Sequence, residues 1–151
     1  KFCLRLPQSD RLLERAIKIA ARAHAGQVDE GGQPYILHPL RVMLSVDTIH
    51  QRMAAVLYYV VEDTVVTPAD LSAEDFPSAV IDAIFALTKT AGEDRIPAAH
   101  RAAANAIATV VKLADLADNI NLARIPNPTE KDLARFKKYG QARAISLQVA
   151  P

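Results

Sequence analysis

Apolar residues recur at spacings of three and four positions along most of the chain, the spacing of one face of a helix. In the first segment they are Leu12, Leu13, Ala16, Ile17, Ala20, Ala23 and His24. Ser9 stands where it can cap this helix, and Gly26 stands where it can end it. Alternating apolar and polar runs, which indicate strands, are nearly absent. The pattern therefore predicts an all-α fold.

Glycine, proline and capping residues divide the rest of the pattern into further helices. A loop is predicted from Asp29 to Pro34, because Gly31 and Gly32 interrupt the periodicity. One helix is predicted after Pro39, and the next runs from about Gln51 to Glu62. A third follows a Thr67 cap with Pro68 at its first position, and a fourth begins at Pro77. The alanine-rich stretch 99–118 favours a fifth helix, and the last follows a Thr129 cap after the Pro126/Pro128 linker.

Length and composition suit one folded unit. The chain has 151 residues, half of them hydrophobic, which is enough for one core and too short for two ordinary domains, so we expect a single soluble domain over 1–151. The net charge of +1 gives no reason to expect nucleic acid or an anionic membrane as a partner. The single cysteine, Cys3, excludes an internal disulfide, and no stretch approaches the roughly 20 apolar residues of a membrane span. We expect a cytoplasmic protein.

A paired carboxylate closes the most apolar of the predicted helices. Glu62 and Asp63 follow Tyr58 and Tyr59 by four positions, so each acid lies one helical turn from a tyrosine on a shared face. A carboxylate pair of this kind serves in general acid–base chemistry or in cation binding. The segment therefore predicts a site.

Three separated segments carry the remaining polar motifs, and two shorter ones accompany them. They are residues 32–40, 58–64 and 111–119, with 23–27 and 86–89. Together they resemble the HD-domain hydrolases of the RelA/SpoT type, which remove the 3′-pyrophosphate from the alarmone (p)ppGpp of the stringent response, and especially the short single-domain members. The resemblance covers about residues 10–147 and implies an HD-domain helical bundle.

The resemblance also implies a metal centre that this chain has only in part. In the family one divalent ion, usually manganese, is held by a histidine before a proline, an adjacent His-Asp pair and a later aspartate. His38 matches the first ligand and Asp115 the last, but Tyr58 and Tyr59 stand at the His-Asp pair. A neutral phenol is a poor ligand for such an ion. We therefore expect manganese binding to be weak or absent.

Other roles follow from the resemblance alone. Glu62 and Asp63 match the acidic pair to which the family assigns acid–base catalysis, whereas Lys112, Asn119 and Tyr35 match substrate-binding positions. The implied partner is a guanosine nucleotide, pppGpp or ppGpp.

Two acidic residues depart from the family in the predicted loop. Many RelA/SpoT hydrolases carry a basic pair there, whose arginine stacks on guanine, and this chain carries Asp29 and Glu30. We expect this charge to disfavour a multiply charged guanosine nucleotide unless other basic residues compensate.

The sequence therefore indicates a (p)ppGpp 3′-pyrophosphohydrolase that is impaired or inactive as written. The alternatives are a non-catalytic nucleotide-binding or interaction module on the same fold, and a phosphohydrolase of different nucleotide preference whose metal is held partly by tyrosinate. Two interpretations of Tyr58 and Tyr59 stay open: their rings fill the former metal position, with hydroxyls bonded to Glu62 or Asp115, or the pocket is retained as a ligand site.

Overall fold

A computed structural model of the chain describes residues 4–5 and 7–149, and Cys3 lies outside them. The described α-helices are α1 (Gln8–Ala23), α2 (Leu37–Leu44), α3 (Ile49–Asp63), α4 (Pro68–Ala73), α5 (Ser78–Leu87), α6 (Arg95–Ala103), α7 (Ala106–Ile120) and α8 (Glu130–Val149), with a 3₁₀ turn at Leu122–Arg124. Within these ranges the β-pairing is one isolated bridge, between Val28 and Pro34. The prediction of an all-α fold is confirmed.

Helix α3 forms the centre of the fold. Helices α1, α2, α5 and α7 all pack on it, and its residues from Met53 to Val60 are buried. A helix that is covered on every side has to be apolar on every side, which explains its lack of a polar face. Tyr58 and Tyr59 therefore lie in the interior, and the acidic end of α3 emerges beside α7.

A second, smaller cluster joins the last three helices. Ala99 of α6, Leu116 of α7 and Ala142 of α8 form its buried part. Helix α7 thus contacts both α3 and α8, and the polar groups on α7 lie between these two helices. None of the helices in the described part of the chain is long and apolar enough to cross a membrane.

The predicted caps at Thr67 and Thr129 are confirmed. The Thr67 hydroxyl accepts from the amide of Asp70, and the Thr129 hydroxyl accepts from the amide of Asp132. A further capping box at Thr48 accepts from the Gln51 amide, so α3 begins at Ile49, before its predicted start. The Thr-x-x-Gln spacing was the available signal for it.

The first two helices begin elsewhere than predicted. Helix α1 starts directly after Pro7, so Ser9 lies inside its first turn and does not cap it; the Ser9 hydroxyl donates to Asp10. Helix α2 starts at Leu37 and includes Pro39 in its first turn, where a missing amide hydrogen has little cost because that amide has no partner within the helix. Gly26, at φ +80°, lies in the turn after α1 as expected.

The alanine-rich stretch 99–118 is two helices. Helix α6 ends at Ala103, and the Asn105 side chain accepts from the amide of Ala108 to cap α7. Asparagine competes with the helical backbone for hydrogen bonds, so one Asn is enough to restart the helix in a new direction.

Candidate functional site

A cavity of about 320 Å³ opens between the ends of α3 and α7, the loop before α2 and the face of α8. Its walls include every residue that the sequence assigned to the site: Tyr35, His38, Tyr58, Tyr59, Glu62, Asp63, Lys112, Asp115 and Asn119. Residues up to 84 positions apart in sequence thus meet in one pocket. Their individual roles stay predictions.

Asp115 is the centre of the deep end of the pocket. It is 4% exposed, and its Oδ1 accepts from the Tyr59 hydroxyl at 2.7 Å and from Asn119 Nδ2 at 2.7 Å. Its Oδ2 accepts from Lys112 Nζ at 3.1 Å, and His38 Nε2 lies 3.3 Å from Oδ1. Burial would raise the pKa of Asp115, but Lys112 and His38 hold it far below its usual range. The carboxylate is therefore ionised, and both of its oxygens are taken.

His38 lies between two carboxylates. In addition to Asp115, its Nδ1 lies 2.5 Å from Asp118 Oδ2, and Asp118 is bound by Arg41 at 2.8 Å and by Arg124 at 2.8 Å. Burial lowers the pKa of His38, but the hydrogen bonds to the two aspartates raise it above its ordinary value. Both ring nitrogens are consequently engaged within the protein. Spacing alone does not indicate the role of Asp118, because His38 and Arg41 come from a distant segment.

The two tyrosines fill the position where the resemblance implies a His-Asp pair. Tyr58 is 1% and Tyr59 4% exposed, and the Tyr59 ring stands edge-on to His38 with centroids 4.8 Å apart. Burial raises the pKa of both phenols well above the usual value. The hydroxyl of Tyr59 donates to Asp115, which supports the first of the two interpretations, a filled metal position.

These groups do not fit a divalent cation. A metal site needs several side chains with free lone pairs converging on one point. In the described part of the chain no three His, Cys, Asp or Glu side chains are so arranged. His38 has both nitrogens against carboxylates, and a lysine ammonium occupies Asp115. A cation on Asp115 would compete with Lys112 at Oδ2 or with the Tyr59 hydroxyl at Oδ1.

The acidic pair lies nearer the opening of the pocket. Asp63 Oδ2 accepts from the Tyr35 hydroxyl at 2.8 Å, and the Tyr35 ring packs edge-on against the ring of buried His24, 4.9 Å between centroids. Partial burial raises the pKa of Glu62, and neighbouring Asp63 adds to this, although Lys112 opposes it. Glu62 can therefore hold a proton more readily than an ordinary glutamate can.

The two acids of the loop are each matched by an arginine. Asp29 accepts from the amides of Gly31 and Gln33, both at 2.9 Å, and pairs with Arg124 at 3.3 Å. Glu30 pairs with Arg135 of α8. Compensating charge is therefore present, which is the condition that the sequence left open for binding of an anionic ligand.

A cationic and aromatic side of the pocket was missed by the sequence reasoning. Lys89 and Arg95 line it, and the Arg95 guanidinium lies 4.3 Å above the Tyr139 ring while donating to the Tyr139 hydroxyl at 2.9 Å. Arg135 and Tyr139 are four residues apart on α8, which was the signal available for a shared face. This side offers positive charge to a ligand.

The other histidines and the basic residues of α1 do not line the cavity. His24 is buried in packing, and His50 and His100 are exposed. Four cations form an exposed stripe along α1: Arg11, Arg15, Lys18 and Arg22. Arg15 of this stripe pairs with Glu74 at 2.5 Å.

Comparison with known proteins places the chain among HD domains. The family model described as HD domain matches residues 16–131. A guanosine-3′,5′-bis(diphosphate) 3′-pyrophosphohydrolase of Vibrio cholerae is 36% identical over 99 residues, covering 59% of this chain and 13% of the relative. A GTP pyrophosphokinase of Streptomyces coelicolor is 33% identical over 153 residues, covering 93% of this chain and 17% of the relative. The chain thus spans less than a fifth of the length of these relatives.

A solved structure has the same fold. It is that of a metazoan orthologue of SpoT described as hydrolysing ppGpp, and it superposes with a TM-score of 0.74 over 97% of this chain and 89% of the other, at 20% sequence identity. At that identity the likeness shows a common architecture of helices.

Proposed function

We propose, from the premise that this chain belongs to the HD domain family, that it is a relative of the (p)ppGpp 3′-pyrophosphohydrolases that binds pppGpp or ppGpp but hydrolyses it poorly or not at all. One observation carries the proposal: Asp115 accepts hydrogen bonds from Tyr59, Asn119 and Lys112, and cations line the pocket around it. Binding chemistry is present in the pocket, and the metal-binding donor set is not.

The cationic side supports the binding half of the proposal. Lys89 is exposed and lines the cavity, and Arg95 is held over the Tyr139 ring with its charge directed into the same space. Guanidinium and ammonium groups bind phosphate oxygens by charge-assisted hydrogen bonds. Tyr35 and Asn119, whose polar groups also line the cavity, are our candidates for contacts with the nucleoside.

The deep end of the pocket supports the second part of the proposal, that hydrolysis is poor or absent. Cleavage of a phosphate ester needs stabilisation of charge on the phosphoryl oxygens and an activated water. Glu62 can accept or hold a proton, but the Glu62 and Asp63 carboxylates add negative charge beside an anionic group. Lys112, the nearest cation, is already paired with Asp115. The residues of this chain therefore orient a ligand without supplying what hydrolysis needs.

Three expectations from the sequence remain part of this proposal. Manganese, the ion that the resemblance implies, is expected to bind weakly or not at all. A cytoplasmic location and a single domain over 1–151 stay predictions, which cell fractionation and limited proteolysis test.

Calorimetric titration with ppGpp, pppGpp and guanosine tests the binding half. We expect measurable affinity for the phosphorylated nucleotides, weakened by Lys89→Ala and Arg95→Ala by roughly threefold to tenfold each, since a lost charge contact contributes about 1 kcal/mol. Lys137→Ala, an exposed lysine of α8 that does not line the cavity, is the matched control. Failure of all three ligands to bind would contradict the proposal.

A further inference from the structure

The two neighbouring acids of the loop before α2 differ in what holds them. The Asp29 side chain is 7% exposed, and two loop amides and Arg124 bind it. The Glu30 side chain is 63% exposed, and the hydrogen bond recorded for it is the one from Arg135. Asp29 thus stabilises the loop itself, whereas the ion pair of Glu30 does not involve the loop amides.

Arg135 faces the cavity from the opposite wall. It stands 105 residues after Glu30, lies on α8, and both side chains line the pocket. A second bond, to Asp132 at 2.8 Å, keeps its guanidinium in place, and its side chain is 18% exposed. The Glu30–Arg135 pair therefore bridges the opening of the pocket, with the exposed carboxylate on the loop and the half-buried guanidinium on α8.

A carboxylate on a guanidinium occupies the position that a ligand phosphate would take. Both anions bind the same planar set of N–H donors. An exposed ion pair contributes little net stability, so an incoming anion of higher charge can replace the carboxylate at small cost. Asp29 cannot be replaced in this way, because it is buried and holds loop amides.

We infer that Glu30 competes with anionic ligands for Arg135. Glu30 is then a specificity-determining residue: it lowers the affinity of the pocket for anionic ligands and favours those with enough charge to displace it. That the ligand is a phosphorylated nucleotide rests on the proposed function. Glu30 then selects for the number of phosphates, and Arg135 is the group over which the two anions compete.

The test is the substitution Glu30→Gln, which keeps the shape and removes the charge. Titration with ppGpp and with inorganic pyrophosphate is expected to show affinities about threefold to fivefold higher than in the unmodified chain, the factor that release of an exposed ion pair permits. Affinity for uncharged guanosine is expected to stay the same. Glu74→Gln, which removes a similarly paired exposed glutamate outside the cavity, is expected to change none of the three.

A double-mutant cycle assigns the effect to Arg135. In an Arg135→Gln background, Glu30→Gln is expected to bring no gain, because the competed group is gone. Thermal melts by circular dichroism confirm that each variant is folded, and Glu30→Ala provides a second version of the charge removal.

The inference is overturned if the gain persists without Arg135, extends equally to guanosine, or is absent with pyrophosphate. In a further outcome, ppGpp binds none of the variants, whereas pyrophosphate binds more tightly after Glu30→Gln and this gain in affinity is absent in the Arg135→Gln background. The nucleotide proposal then fails, and the competition between Glu30 and the anion stands.

Discussion

The deep end of the pocket and its opening use charge in different ways. Asp115 and Tyr59 are buried and bonded to each other, with half-buried Lys112 and Asn119 as further donors, whereas at the opening the Glu30 side chain is 63% exposed and Lys89 is exposed. A buried, saturated network cannot exchange a partner without leaving a charge unpaired, but an exposed pair can. One pocket therefore combines a closed end, where we propose that metal chemistry is lost, with an opening where we propose that an anion binds.

Restoring the donors at the closed end is expected to have the largest effect. Tyr58→His with Tyr59→Asp removes the hydroxyl bound to Asp115 and adds the two ligands that the resemblance implies. We expect manganese-dependent release of pyrophosphate from ppGpp to rise by several orders of magnitude above background, because a bound ion acts as a Lewis acid and lowers the pKa of its water. The further change Asp115→Ala is expected to abolish it.

Two outcomes of the same assay would contradict this account of the closed end. One is turnover of ppGpp by the unmodified chain at an ordinary enzymatic rate. The other is a doubly substituted variant that binds manganese and stays silent, which would mean that the pocket differs from a working site in more than Tyr58 and Tyr59.

A pair of phenylalanine substitutions compares the two ends by stability. Tyr59→Phe leaves a buried, ionised Asp115 short of one donor, and we expect a loss of about 1.5–3 kcal/mol in the free energy of unfolding. Tyr35→Phe removes a similar bond to Asp63, which water can reach, so a loss below about 1 kcal/mol is expected. Urea denaturation measures both. Equal losses would mean that the ends do not differ in burial as described.

The pH dependence of stability is a smaller effect of the same network. The pKa of His38 is raised by its bonds to Asp115 and Asp118, against the effect of burial, so its contribution is full below the unfolded pKa of about 6.5 and is lost as the pH rises through the folded pKa. We expect the free energy of unfolding to fall above pH 6.5, and His38→Gln to flatten that slope. A slope of opposite sign in the unmodified chain would refute the bonded imidazolium.

Local signals in the sequence predicted most of the fold, whereas the resemblance to the RelA/SpoT hydrolases indicated most of the residues that line the pocket. The Thr67 and Thr129 caps and the helical periodicity act within a few residues, and the structure confirms them. The break at Asn105 was missed because alanine-rich residues on both sides favour one continuous helix, and a single side-chain cap decides otherwise.

Partners within the pocket could not be predicted in the same way. Lys112, Asp115 and Asn119 share a face of α7 by spacing alone, whereas the sequence left two interpretations of Tyr59 open, and the packing of α3 against α7 decides for its donation to Asp115. The pairing of Glu30 with Arg135 joins residues that only the tertiary fold brings together. The sequence therefore indicated repulsion in the loop where the structure has compensation.

The central claim is that Asp115 is no longer available to a metal ion, and manganese titration of the unmodified chain tests it most directly. Free manganese is followed by electron paramagnetic resonance, with the doubly substituted Tyr58→His, Tyr59→Asp chain as the positive control. We expect no stoichiometric binding and no rise in melting temperature for the unmodified chain, and one bound ion for the control. One tightly held ion in the unmodified chain, lost on Asp115→Ala, would contradict the account.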